Sequence, residues 1–152
     1  MNRFLSLCTE IEEHIARIYR KLAASSQIPA DLRVILHSLA DDEDDHAMQL
    51  RFAMRFPAGT AITGKKIEKE QLQQLLQRAK LMLQQVQSQE LDARQAIELG
   101  IELEEDFCQA HIGNSMIFSD ENLKKMFAAL ARDDKTHVQK LHAAKEKFSS
   151  GA

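Results

Sequence analysis

Leu39-Ala40-Asp41-Asp42-Glu43-Asp44-Asp45-His46 and Leu130-Ala131-Arg132-Asp133-Asp134-Lys135-Thr136-His137 are two versions of one pattern, 91 residues apart. Each places a carboxylate three residues before a histidine, as Glu43-x-x-His46 and Asp134-x-x-His137. The match extends outward. Leu32, Leu36, Leu39, Glu43, His46, Leu50 and Ala53 correspond to Leu123, Phe127, Leu130, Asp134, His137, Leu141 and Ala144. Both series alternate steps of four and three, the spacing of one helix face. A carboxylate and an imidazole therefore occupy core positions of an otherwise apolar stripe, twice. Ionised groups in a helical core are costly unless paired or bound to a metal. The repeated violation predicts a metal site. Asp41, Asp42, Asp44 and Asp45 fall off the leucine series and read as a solvated acidic face.

Composition sets the frame. A chain of 152 residues is long enough for one domain with a substantial core, so residues 1–152 are read as a single domain. Gly and Pro are few and Trp is absent, which favours long helices over many turns. A net charge of −3 offers no basic patch and argues against nucleic acid as a partner. Cys8 and Cys108 form neither a CxxC pair nor a zinc-ligand spacing. Glu10 comes too early for a signal-peptide apolar region, and no apolar run is long enough to span a membrane. The expected compartment is the cytoplasm.

Helix follows helix. The first is expected from about Arg3 to Ala24, with Phe4, Cys8, Ile11, Ile15, Ile18 and Leu22 on one side and Pro29 breaking the pattern. The second runs from Ala30 to about Arg55, with Asp31 as its expected N-cap. Pro57, Gly59 and Gly64 mark a non-helical stretch, followed by an amphipathic helix over Glu68–Gln87. A third main helix ends near Ile112, where Gly113-Asn114 suggests a break. A last helix is capped at Ser119 and ends near Phe148. No strand pattern competes. The expectation is an all-α four-helix bundle with a long crossover, residues 57–88, carrying an extra helix between the second and third main helices.

The repeat implies that the first and third main helices also correspond. Glu12 sits among Cys8, Ile15 and Tyr19, at the edge of an apolar stripe, and Glu102 stands in the matching region of the third helix. Glu98, Glu104 and Glu105 share that acid-rich segment; helical phase favours Glu102 over Glu98 and leaves Glu105 evenly poised. His14, His37, His111 and His142 fall off the repeat and read as surface or structural residues. One Glu from each of two helices plus Glu-x-x-His from each of the other two is the ligand pattern of di-iron carboxylate bundles. Hard carboxylates with one or two imidazoles suit Fe(II) or Mn(II), whereas zinc more often takes additional His or Cys. The Tyr19 hydroxyl is positioned to donate a hydrogen bond or a proton near such a centre.

These residues resemble the ferritin-like superfamily, and within it the rubrerythrin group, over about residues 3–148. The marks are Glu12 with Tyr19 seven residues later, Glu43-x-x-His46, Glu102-x-x-Glu105 and a degenerate Asp134-x-x-His137. The resemblance implies two iron ions, with Mn or Zn as alternatives. The implied ligands are Glu12, Glu43, His46, Glu102, Glu105 and Asp134, with His137 a ligand or near neighbour. It further implies a non-haem di-iron peroxidase or ferroxidase that reduces peroxide or oxidises ferrous iron with peroxide or dioxygen. The rubredoxin-type four-cysteine domain of full-length rubrerythrins is not among these residues, so a separate electron-donor protein is expected. By analogy alone, a homodimer is expected. Asp134 is one methylene shorter than Glu, which keeps an alternative open: a non-catalytic bundle for iron handling or protein interaction.

Overall fold

The computed structural model describes residues 2–55, 69–115 and 119–149. Among the described residues there are five α-helices: α1 (Asn2–Ala23), α2 (Ala30–Ala53), α3 (Lys69–Ser88), α4 (Ala93–Ser115) and α5 (Glu121–Ser149). No strand occurs among the described residues. No described helix is long and apolar enough to cross a membrane. The stretch with Pro57, Gly59 and Gly64, the first part of the expected crossover, lies outside the described residues.

Helix starts follow from local side-chain chemistry. Asp92 and Gln95 form a reciprocal cap: the Gln95 N–H donates to Asp92 Oδ1 at 2.8 Å, and the Asp92 N–H donates to Gln95 Oε1 at 3.1 Å. At α5 the cap is Asp120 rather than Ser119, because Asp120 Oδ1 accepts from the Asn122 and Leu123 N–H groups. Asp31 does not cap α2. Extended Pro29 holds the N-cap without a side-chain bond, and Asp31 sits in the first turn, 2.6 Å from Lys147 Nζ. Gly113-Asn114 does not end α4, which continues to Ser115.

Cross-helix pairs define the directions. Arg20 reaches Asp41 and Asp44 while Arg51 pairs with Glu13, so α1 and α2 are antiparallel. His111 meets Asp134 and Lys145 meets Glu98, so α4 and α5 are antiparallel. Lys147 with Asp31 and Lys140 with Asp42 set α2 against α5 in the same sense. Tyr19 with Glu104 and Glu12 with His111 do so for α1 and α4. It follows that α2 and α4 run in one direction. The α3 helix lies against α1 and α4, with Lys80 on Glu10 and Arg78 on Glu102 and Asp106. The exposed pairs among these set register more than stability, because solvent screens them.

Stability comes from the core. Leu5, Ile11, Ile15 and Ile18 of α1, Leu32, Leu36, Leu39 and Leu50 of α2, Ile97 and Leu103 of α4, and Phe127, Leu130 and Leu141 of α5 are buried together. Each such side chain contributes about 1.5–3 kcal/mol by leaving water. The face of α3 that carries Leu72, Leu76, Ala79 and Val86 joins the same core.

Candidate metal centre

Into this apolar interior the four long antiparallel helices send Glu12, Tyr19, Glu43, His46, Glu104, His111, Asp134 and His137, all buried. Among the described residues, two groups have ligand atoms within 4.8 Å of one another and could each hold a metal ion: Glu12, Glu43 and His46, and Glu43, Glu104 and His137. Glu43 belongs to both. Its carboxylate lies between two histidines, with His46 Nδ1 3.0 Å from Oε2 and His137 Nδ1 3.0 Å from Oε1. The two imidazoles are stacked, with centroids 5.9 Å apart.

The outer nitrogens of these rings point the other way. His46 Nε2 is 3.5 Å from Asp133 Oδ2, and His137 Nε2 is 3.2 Å from Asp42 Oδ2. A carboxylate on the far nitrogen is the usual partner of a metal-ligating histidine, because it fixes the tautomer that leaves the near nitrogen free. Asp42 and Asp133 are themselves 91 residues apart, like the histidines they face. Both pairs line a cavity of about 220 Å³ between α2 and α5.

Tyr19 and His111 extend the centre along α1 and α4. The Tyr19 hydroxyl donates to Glu104 Oε1 at 2.5 Å. His111 lies between two acids, with Nε2 2.9 Å from Glu12 Oε1 and Nδ1 2.7 Å from Asp134 Oδ2. Glu12 and Glu104 are 92 residues apart, as are Tyr19 and His111. Each half thus reaches across to the acid of the other. Gly100 makes room for Leu141, since a Cβ there would meet Leu141 Cδ1 at 3.1 Å, while Tyr19 Cε1 lies at ordinary contact distance, 3.4 Å.

The electrostatics are those of a centre short of positive charge. Burial pushes the Glu12 carboxyl up to about 8, with His111 opposing. Burial and the Glu43 charge raise Glu104 to about 7. Burial acts upward on Glu43 too, but the imidazoles of His137 and His46 outweigh it and hold this carboxyl below its ordinary range. Burial works against charge on the histidines, and their carboxylate partners prevail, taking His46 to about 9 and His137 to about 11. Burial raises the Cys8 thiol, one turn from Glu12, which keeps it protonated and poorly nucleophilic.

Three carboxylate oxygens accept no hydrogen bond: both of Glu12, and Oε1 of Glu43. His111 and His137 are close to two of them but out of line for a bond. A buried acceptor left this way costs about 1–3 kcal/mol, more if charged. Carboxylates shared among imidazoles, with open lone pairs facing one another, suit a hard divalent cation. The residues present therefore fit a hard divalent cation, and the cluster is a candidate metal-binding site.

Five of the residues singled out in the sequence as ligands meet here: Glu12, Glu43, His46, Asp134 and His137. Tyr19 meets them as well. Glu102 and Glu105 do not, since both are exposed on α4 and Glu102 pairs with Arg78 of α3. Glu104 holds the inward position instead. His111 is buried in the centre rather than on the surface. The signal for both lies in the series Ile97, Gly100, Glu104, Phe107 and His111, which repeats the steps of Leu5, Cys8, Glu12, Ile15 and Tyr19. Compared with known proteins, the chain matches no family model, no curated protein and no solved structure.

Proposed function

We propose that the chain is a ferritin-like bundle of rubrerythrin type that holds two divalent cations, iron foremost, and reduces peroxide or oxidises ferrous iron with peroxide or dioxygen. The shared direction of α2 and α4 supports the fold reading, because their connection must travel the length of the bundle, and α3 lies within it. One observation carries the functional reading: three buried carboxylate oxygens without hydrogen bonds, inside a nest of four acids and three imidazoles.

Glu12 and His46 would hold one cation, Glu104 and His137 the other, with Glu43 shared between them. Two Fe(II) ions held there would supply the two electrons that cleaving an O–O bond takes up, each becoming Fe(III). The protein's own part is to orient and to insulate. Leu39, Ile15 and Phe107 exclude bulk water from around the acids. Asp42 and Asp133 orient the two histidines from outside. Burial and the Glu104 charge keep Tyr19 protonated, so a proton waits at its Oη beside Glu104. The cavity between α2 and α5 has room for a peroxide molecule at the histidine edge. Electrons would come from a separate donor protein, and a homodimer is the expected assembly.

A second reading, an iron-handling bundle without turnover, is favoured by the turning of Asp134 toward His111, away from both ligand groups. Anaerobic loading with Fe(II), metal analysis, and absorption spectra before and after peroxide separate the readings. Two irons per chain with a near-ultraviolet band that appears with peroxide and bleaches on reduction support the redox enzyme. Two irons with no response to peroxide support iron handling. No bound iron overturns both.

A further inference from the structure

The α2 and α5 ligand stretches repeat, yet Asp134 joins neither group of residues able to gather around a cation, whereas its counterpart Glu43 joins both. Asp134 is fully buried and one methylene shorter than Glu43, and a partner also engages it. His111 Nδ1 is 2.7 Å from Asp134 Oδ2, and the same ring places Nε2 2.9 Å from Glu12 Oε1. The pseudo-symmetric position in α1 is Tyr19, whose single hydroxyl binds one acid, Glu104. A phenol has one O–H to give, while an imidazole has a nitrogen on each side. Phe127 packs against the His111 ring, with centroids 6.0 Å apart, and limits its rotation.

We propose that His111 is a positioning residue that ties Asp134 away from the cations, leaving Glu43 as the only carboxylate they share. The centre is then asymmetric by design of one residue. One cation position borders the His111 side through Glu12, and the other borders the Tyr19 side through Glu104. This rests on the two-cation reading above and adds which acid stays out of it.

The test is Mn2+ binding followed by calorimetry and by the electron paramagnetic resonance of bound and free Mn2+. It compares the wild type with Asp134→Asn, His111→Tyr and the double variant. In the wild-type background, Asp134→Asn should leave both affinities within about threefold. In the His111→Tyr background Asp134 is released, and Asp134→Asn should then weaken binding by about tenfold or more, equal to 1.4 kcal/mol. The resonance of the Mn pair should change in His111→Tyr and return toward wild type in the double variant. A merely structural role would give additive effects and no such reversal. A tenfold loss from Asp134→Asn alone would overturn the proposal while leaving two cations in place. A wild type that binds no Mn2+ would overturn the two-cation reading, and this inference with it. If His111→Tyr fails to fold by circular dichroism, His111→Gln replaces it, and the single Asp134→Asn comparison decides regardless.

Discussion

The two halves of the bundle bring the same chemistry to the centre from α2 and α5 but different chemistry from α1 and α4. Glu43 and His46 occupy the same positions of the repeat as Asp134 and His137, and each histidine has an aspartate of the opposite helix beside its outer nitrogen. Across the other pair, Tyr19 stands where the repeat puts His111. The α1 half contributes a hydroxyl that satisfies one acid, and the α4 half contributes a ring that lies between two. This difference, together with the shorter side chain of Asp134, accompanies the contrast between Glu43, which belongs to both candidate groups, and Asp134, which belongs to neither. The lesson is that the symmetry of a repeat is carried by its helices, whereas the division of labour at the centre is carried by whichever residues lie one or two turns away.

The largest break in the comparison is removal of the shared acid. Glu43→Ala is expected to reduce bound metal from two cations per chain to less than one, because both groups lose a ligand. Glu12→Gln and Glu104→Gln should each remove one cation and spare the other. Metal analysis on the three variants checks this, and equal losses in all three would mean that Glu43 is not shared.

Proton linkage sharpens it next. In the metal-free protein Glu12 is raised from 4.5 to about 8, Glu104 from 4.5 to about 7 and His46 from 6.5 to about 9. A group raised on folding contributes stability below its ordinary value, and that stability is lost as pH climbs through the folded one. Metal-free protein should therefore lose stability progressively from about pH 4.5 to about pH 9. Cations bind the deprotonated ligands, so the loaded protein should not follow, and affinity should rise over the same interval with protons released. Thermal melts of both forms across that range, with calorimetry in buffers of different ionisation enthalpy, read both effects. Parallel melting curves with no proton release would count against these ligands.

The smallest effect separates neighbours on α4. Glu102→Gln and Glu105→Gln should leave metal affinity within about twofold, since both side chains are exposed and solvent and salt screen their charges. A larger loss from either would return it to the ligand set.

That last pair also shows what the sequence could and could not reveal. The helical architecture, with Glu43-x-x-His46 against its degenerate copy, was legible because acids and imidazoles interrupted a leucine series in two places at the same phase. The inward acid of α4 was obscured by its company. Glu102, Glu104, Glu105 and Asp106 crowd one turn, and only packing decides that Arg78 of α3 draws Glu102 and Asp106 outward. His111 is hidden by phase: aligned on Glu102 the α4 repeat stands two residues off, whereas aligned on Glu104 it puts His111 opposite Tyr19. Its two contacts depend on side chains of α1 and α5 that no local pattern connects. Helix ends were misplaced for a similar reason, where Asp120 rather than Ser119 had the geometry to cap.

Crystals grown with Mn2+ and measured for anomalous scattering test the central claim most directly. Two peaks about 3.5–4 Å apart are expected, one beside Glu12 and His46, the other beside Glu104 and His137, with the Glu43 carboxylate between them. A single peak, a pair not spanned by Glu43, or density only in the outer cavity beside Asp42 and Asp133 would contradict the account.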